Sequence, residues 1–218
     1  MILAAGYGTR LKPLTDSIPK ALVIHKGKTL LEHQIDKLKN SGISEIVINA
    51  HHFSDKILDF INQNKFDLKV DVIIEKTILG TGGGVLNAFD YLKSEDFFIV
   101  LNVDIDSDFD ISEIIKYHKK HNPVATIGIQ KRVTKRYLEF TPDLNLIGRG
   151  NENSSKNNLY AFNGIHIISK DFFSKGFEIK YCDIIDIYLE LVNRGEKIKG
   201  FDLKKTTFKD LGKKENLD

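Results

Sequence analysis

Leu3-Ala4-Ala5-Gly6-Tyr7-Gly8-Thr9-Arg10-Leu11-Lys12-Pro13-Leu14-Thr15, followed by Pro19-Lys20, decides how the rest of this 218-residue chain is read. Met1 to Ala4 is apolar enough for a buried strand. The two glycines after it open a loop, and a polar connection then carries Arg10 and Lys20. Glycine lets backbone N–H groups approach phosphate oxygens without a Cβ in the way, and two cations neutralise charge that backbone dipoles alone leave exposed. The layout suits a phosphate site. Two better-known phosphate loops are excluded by spelling: a dinucleotide fingerprint needs a third glycine where Leu11 stands, and a Walker loop needs Gly-Lys-Ser/Thr after four spacers.

Outward from this loop, strands and helices alternate. Thr29 to Gly42 reads as an amphipathic helix with Leu30, Leu31, Ile35 and Leu38 on one side. Glu45 to Ala50 reads as a strand, Ser54 to Asn64 as a helix capped by Ser54, and Val70 to Glu75 as a third strand. Gly82 to Leu92 reads as a helix entered through Gly80-Thr81-Gly82-Gly83-Gly84, and Phe97 to Leu101 as a strand buried on both faces. This order predicts an α/β fold with a doubly wound, mostly parallel, Rossmann-like sheet, its ligands at the carboxyl ends of the strands. Beyond residue 111 the pattern becomes richer in strands. Helices are expected at Ser112–His121 and Asp183–Arg194. Strands are expected at Val124–Gln130, in two short runs around Pro142-Asp143, at Leu159–Ile168, and in a closing pair, Lys197–Phe201 with Thr206–Lys209. Short connections and the lack of a Pro/Ser-rich linker predict one domain over 1–218, divided into halves 1–111 and 112–218.

Composition narrows the function. The net charge is +2 without a basic stripe, which argues against a nucleic-acid partner. A single cysteine, Cys182, precludes an intrachain disulfide and suits a reducing compartment. No apolar run approaches membrane-spanning length and no signal-peptide order opens the chain, so a cytoplasmic protein with no membrane partner is expected. The oligomeric state leaves no trace in the sequence.

Asp104 follows the strand Phe97–Leu101, which puts a carboxylate at the carboxyl edge of the sheet. Magnesium favours hard oxygen ligands of this kind, usually one or two carboxylates with water and substrate phosphates completing the shell. The alternating acids from Asp104 to Asp110 invite a calcium-loop reading that fails on spacing, with Phe109 where the turn glycine belongs and Ile115 where the bidentate glutamate belongs. Asp110 is better read as a helix cap with Glu113 three residues on, and Asp106 as either a partner of the metal site or a solvated turn residue. His51-His52, His118 and His121 lack partners at metal-ligand spacing. Lys131 to Arg136 reads equally well as a solvated basic face or, at Arg136-Tyr137, as a contact to phosphate.

The opening stretch resembles the signature of the sugar-1-phosphate nucleotidylyltransferases, L-A-A-G-x-G-T-R-L-x-P-L-T followed by P-K, and the similarity runs from residue 1 to about residue 217. It is nearest to the short N-acetylmuramate-1-phosphate uridylyltransferase type. The resemblance implies a GT-A-like fold and transfer of a nucleotidyl group from a nucleoside triphosphate to a sugar 1-phosphate, as in nucleotide-sugar supply for cell-envelope polysaccharide. It makes residues 1–111 the nucleotide-binding half and 112–218 the sugar-binding half. Phe208-Lys209-Asp210-Leu211-Gly212 matches the family's closing W-x-D-x-G at Asp and Gly, so Asp104 and Asp210 are the implied Mg²⁺ ligands, and with Arg10 and Lys20 the implied catalytic set. Ala4, Ala5, Gly6, Gly8, Thr9, Arg10, Lys20, Gly80, Thr81 and Gly82 are the implied nucleotide contacts. Gly148, Tyr160, Asn163 and Gly164 are the implied sugar contacts. UTP is favoured on the spelling of Gly80–Gly84, although Ile78-Leu79 ahead of it supplies no amide to choose between bases. The alternatives are a guanylyltransferase of mannose or heptose 1-phosphate and, in another class, a non-catalytic nucleotide- or sugar-binding regulatory module. Cytidylyl transfer to phosphocholine is disfavoured by the absence of tryptophan and of an aromatic cage. No hexapeptide repeat of a C-terminal β-helix domain is present.

Overall fold

A computed structural model describes residues 1–151, 154–204 and 206–217. The first strand, β1 (Ile2–Leu3), is short and fully enclosed. A small hairpin, β2 (Ile24–His25) and β3 (Lys28–Thr29), leads into helix α1 (Leu30–Asn40). Thr29 caps that helix, accepting from the Glu32 amide while the Glu32 carboxylate accepts from the Thr29 amide, which satisfies two otherwise free donors. Next come β4 (Glu45–Ala50), α2 (Ser54–Gln63), β5 (Lys69–Ile74), α3 (Gly80–Asn87), α4 (Phe89–Leu92) and β6 (Phe97–Asn102). Ser54 is not the cap expected for α2: Phe53 holds that position with φ of 53° and no side-chain bond. The helix expected through Leu92 breaks at Ala88 into two.

β1 lies between β4 and β6 and runs parallel to both, and β5 lies outside β4, also parallel. This is the doubly wound, mostly parallel arrangement that the alternation predicts. The chain then passes through β7 (Ile105–Asp106), α5 (Ile111–His121) and β8 (Ala125–Gln130). β9 (Tyr137–Phe140), β10 (Leu146–Arg149), β11 (Leu159–Ser169), α6 (Ile184–Asn193), β12 (Ile198–Asp202) and β13 (Lys209–Asp210) complete it. The two expected closing strands do not pair with each other, and the second is confined to Lys209–Asp210. β12 instead runs parallel to β8, and β13 crosses to pair with β7, Asp210 opposite Ile105.

Both faces of the sheet are covered. α1, α2 and α5 pack over Ile2, Ile48 and Leu101, while α3 and α6 pack over Val100, Ile127 and Phe140, with Tyr188 of α6 fully enclosed. Two histidines lie within this core. His118 is bonded to Thr126 and Ser169, and His166 to the Tyr188 hydroxyl at 2.8 Å. Burial pushes them down to about 4 and about 3 respectively.

One detail of the sheet makes the site. β6 pairs with β11 along Ile165–Ser169, and β9 pairs with Leu159–Ala161 on the same edge. Phe162, Asn163 and Gly164 are left between the two strand ends. At about 3.3 Å per residue, the four steps from Ala161 to Ile165 open a gap of about 13 Å. Among the described residues, no helix is long and apolar enough to cross a membrane.

Candidate active site

The glycine loop leaves β1 at the carboxyl edge of the sheet. Its first turn is fixed by neighbours: the Ala4 amide donates to Asn49 Oδ1 at 2.9 Å, and the Thr15 hydroxyl donates to the Gly8 carbonyl at 2.9 Å. Short turns at Thr9–Leu11, Leu14–Asp16 and Lys20–Leu22 then fold the connection back on itself. The fold-back delivers Lys20 Nζ to Asp104 Oδ2 at 2.8 Å. Arg10 donates to Asp210 Oδ2 at 2.8 Å and also lies 3.8 Å from Asp104.

Asp210 arrives from the far end of the chain through the β7–β13 pairing. The Leu211 amide donates to the Asp104 carbonyl at 2.8 Å, and the Gly212 amide to Asp210 Oδ1 at 3.0 Å. A Cβ on Gly212 would sit 2.6 Å from Asp104 Oδ2, 2.6 Å from Arg10 Nη2 and 2.9 Å from Asp210 Oδ1. Two carboxylates and a guanidinium therefore face one point, which only a residue without a side chain leaves open. Burial alone would raise the Asp104 carboxyl, but Lys20 and then Arg10 outweigh it and hold it below the ordinary carboxylate range. The hydrogen bond to Asp210 raises Arg10 further above its usual value.

The donor set fits a magnesium ion. Both carboxylates are hard oxygen donors, and Asn102, at the end of β6, has a buried Oδ1 with no hydrogen-bond partner among the described residues. No larger group of His, Cys, Asp or Glu gathers among those residues. That leaves a two-carboxylate site which phosphate oxygens and water would complete, as is usual for magnesium.

Two cavities meet here. The smaller, about 180 Å³, is walled by Ala5, Gly6, Lys20, Asn49, Gly80 and Thr81, and the larger, about 800 Å³, opens over the gap beside β11. Thr81, Asn102 and Asp104 belong to both walls. Of the residues expected to meet nucleotide, Ala5, Gly6, Lys20, Gly80 and Thr81 line the small cavity, and Arg10 lines the large one. Ala4, Gly8, Thr9 and Gly82 lie outside both walls.

The glycine run is explained by packing. A Cβ on Gly80 would sit 2.5 Å from the Cys182 carbonyl oxygen, one on Gly83 would run into the Lys180 carbonyl, and one on Gly84 would sit 2.7 Å from Asn49 Nδ2. The segment before α6 is hydrogen-bonded across this approach, Gly82 N to Cys182 O and Cys182 N to Leu79 O. The Thr81 hydroxyl accepts from the Ile184 amide at 2.9 Å. Beneath the run lies a pair that the sequence did not reveal: Asn49 donates to Glu75 Oε1 at 2.7 Å, and Glu75 Oε2 accepts from the Leu79 amide at 3.0 Å. Asn49 thus ties the glycine loop to the Gly80 segment through a buried carboxylate.

Of the residues expected to meet the sugar, Asn163 and Gly164 line the large cavity. Tyr160 and Gly148 do not. Tyr160 packs edge-on against Phe140 with Lys131 over its ring at 3.8 Å, and Gly148 faces open space on β10. The basic run before β9 divides in two. Lys131 is spent on the carbonyls of Asn157 and Leu159, whereas Arg132, Lys135 and Arg136 line the cavity. Arg132 is the functional candidate that the sequence reading passed over.

A family model described as nucleotidyl transferase matches residues 1–137. The chain belongs to this family. Similar proteins include mannose-1-phosphate guanylyltransferase 1 of Arabidopsis thaliana, 37% identical over 135 residues. Another is the mannose-1-phosphate guanylyltransferase catalytic subunit beta of Xenopus tropicalis, 35% identical over 134 residues. Each match covers 60% of this chain and 37% of the relative, so the chain spans little more than a third of their length at the matched region. The crystal structure of HddC from Yersinia pseudotuberculosis covers 99% of this chain and 94% of that one, with 27% identity and a TM-score of 0.80. Its complex with GMP-PN aligns with 28% identity and a TM-score of 0.79 over the same shares of both chains. The inositol-1-phosphate CTP transferase of T. maritima shares the fold at 18% identity, with a TM-score of 0.82 over 100% of this chain and 90% of that one.

Proposed function

We propose that this chain transfers a nucleotidyl group from a nucleoside triphosphate to a sugar 1-phosphate, releasing pyrophosphate, with GTP as donor and a mannose-type hexose 1-phosphate as acceptor. The observation that carries the reading is the convergence of Asp104, Asp210, Lys20 and Arg10 where the two cavities meet. A binding module has no need of two carboxylates and two cations at one point. In-line attack of one phosphate on another does need them, because the work is positioning and charge neutralisation.

An oxygen of the acceptor phosphate forms the new bond to the α-phosphorus as the bond to the pyrophosphate oxygen breaks. No proton has to move, since the attacking oxygen is already ionised near pH 7. Lys20, in the wall of the small cavity beside Asp104, is suited to the reacting phosphates, and Arg10 with the loop amides to the departing pyrophosphate. Asp104 and Asp210 would hold magnesium, which supplies charge stabilisation at the phosphate oxygens when bound.

The base is the finer point. The glycine spelling that favours UTP is accounted for by packing against residues 180–183 and, at Gly84, against Asn49, so it no longer argues for a pyrimidine. The similar mannose-1-phosphate guanylyltransferases and the HddC complex with GMP-PN support guanine. The test is a matrix of ATP, CTP, GTP, UTP and dTTP against mannose, glucose, N-acetylglucosamine and N-acetylmuramate 1-phosphates, read by pyrophosphate release with Mg²⁺. GTP with mannose 1-phosphate should be fastest by at least tenfold. A faster reaction of UTP with N-acetylmuramate 1-phosphate would move the assignment to the uridylyltransferase type. No release with any pair would leave the non-catalytic module.

A further inference from the structure

We infer that Arg132 is the acceptor's anion ligand, a guanidinium fixed in the wall of the large cavity to receive the phosphate of the incoming sugar. This rests on the nucleotidyl-transfer reading for the identity of the acceptor, though its geometry stands apart from that reading.

Three contacts lock the side chain. Nε donates to Asn163 Oδ1 at 2.9 Å, Nη2 donates to the Phe162 carbonyl at 2.6 Å, and the guanidinium plane lies over the Phe208 ring at 4.1 Å. Asn163 is itself oriented, because its amide donates to Gln130 Oε1 at 3.3 Å while Gln130 donates to the carbonyls of Lys204 and Thr206. Among the described residues, Nη1 makes no hydrogen bond and Arg132 has no carboxylate within salt-bridge distance. A surface arginine keeps its freedom and its water. This one has surrendered much of both without gaining a counter-ion, and burial works against its charge with Asp210 opposing. Ordering a long charged side chain in this way costs rotamer entropy, and the arrangement makes sense if the missing counter-ion arrives with a ligand.

Position identifies that ligand. Extending the β6–β11 register past Ile165 and Leu101 carries Asn163 and Gly164 alongside Asn102 and Val103, next to Asp104. A Cβ on Gly164 would meet Asn102 Nδ2 at 2.8 Å, which confirms the close approach. Phe208, under the guanidinium, is two residues from Asp210 on the same segment. Arg132 therefore shares the wall of the acceptor cavity with Asp104 and Asp210, whereas Lys20 reaches Asp104 from the small cavity. An anion held between them would be a phosphate on the acceptor. Arginine's planar fork suits such a group better than the point charge of lysine.

The test is steady-state kinetics with GTP and mannose 1-phosphate for Arg132→Gln and Arg132→Lys. Arg132→Gln should raise the KM for mannose 1-phosphate at least tenfold while the KM for GTP stays within twofold. Arg132→Lys, which keeps the charge but loses the fork, should recover only part of the deficit. Titration calorimetry of mannose 1-phosphate into wild-type and Arg132→Gln protein provides a second readout that needs no turnover. If the wild type releases no pyrophosphate with any pair yet binds mannose 1-phosphate through Arg132, the transfer reading fails and the anion site stands. An unchanged acceptor KM, or a rise confined to GTP, would overturn the inference. So would failure of both variants to fold, which would make Arg132 a structural residue.

Discussion

Lys20→Met is the perturbation that most directly tests the charge balance at the site. The Lys20–Asp104 pair is short, 2.8 Å, and its side chains are only 15% and 11% exposed. Removing one partner of such a pair strands a buried charge, at a cost of about 3–5 kcal/mol. Arg10 remains 3.8 Å from Asp104, but it is 55% exposed and already donates to Asp210, so it compensates poorly. The expected loss is about 3 kcal/mol at pH 7. Asp104→Asn alone should cost about 1 kcal/mol, because Lys20 can turn to water, and the double variant about 2 kcal/mol, giving a coupling of about 2 kcal/mol. The assay is urea unfolding followed by far-ultraviolet circular dichroism, since the chain contains no tryptophan to report by fluorescence. A Lys20→Met variant within about 0.5 kcal/mol of wild type, or a double variant as unstable as the summed singles, would refute the reasoning. In turnover the same substitution should lower kcat at least a hundredfold with a smaller change in the KM for nucleotide, if Lys20 acts on the transition state.

Mg²⁺ at 10 mM should raise the wild-type melting temperature, and Asp210→Asn or Asp104→Asn should abolish that rise; a rise retained in both would move the metal elsewhere. Gly83→Ala sets two effects of opposite sign against each other. Helix propensity favours alanine by about 1 kcal/mol, yet its Cβ would meet the Lys180 carbonyl and the Leu79 Cβ, so a net loss of about 1–2 kcal/mol is expected, and a stabilised variant would show the contact to be soft. The buried histidines predict acid sensitivity. With folded values of about 4 and about 3 against an unfolded value near 6.5, each binds its proton in the unfolded chain first. Stability is therefore full above pH 6.5 and falls as the pH drops toward 4, by about 4 kcal/mol for the two together at pH 5. His166→Phe should halve that slope in urea unfolding between pH 7 and pH 5, and an unchanged slope would place the titration in other groups.

The parallel half of the sheet was legible because each of its elements announces itself locally. Alternating apolar strands and amphipathic helices gave the winding, and the loop after β1 gave Arg10 and Lys20 a common destination. Asp210 was legible only through family likeness. Its approach to Asp104 depends on the two-residue pairing of β7 with β13, whose partners lie about a hundred positions apart. The partners of the two closing strands were hidden for the same reason, since β12 and β13 are each claimed by a distant strand. Glycine accumulation looks the same in sequence whether the closely approaching group is a ligand or another stretch of backbone, and here Lys180 to Asp183 is that group. Arg132 was hidden among other cations. What distinguishes it from Lys131 and Lys135 is Asn163 and Phe208, neither of which is near it in the chain.

An interrupted strand edge is ordinarily a hazard, because unpaired backbone invites a foreign strand. Along β11 the interruption is roofed by basic side chains and occupied by the cavity, so β6 and β9 can end there without exposing a template.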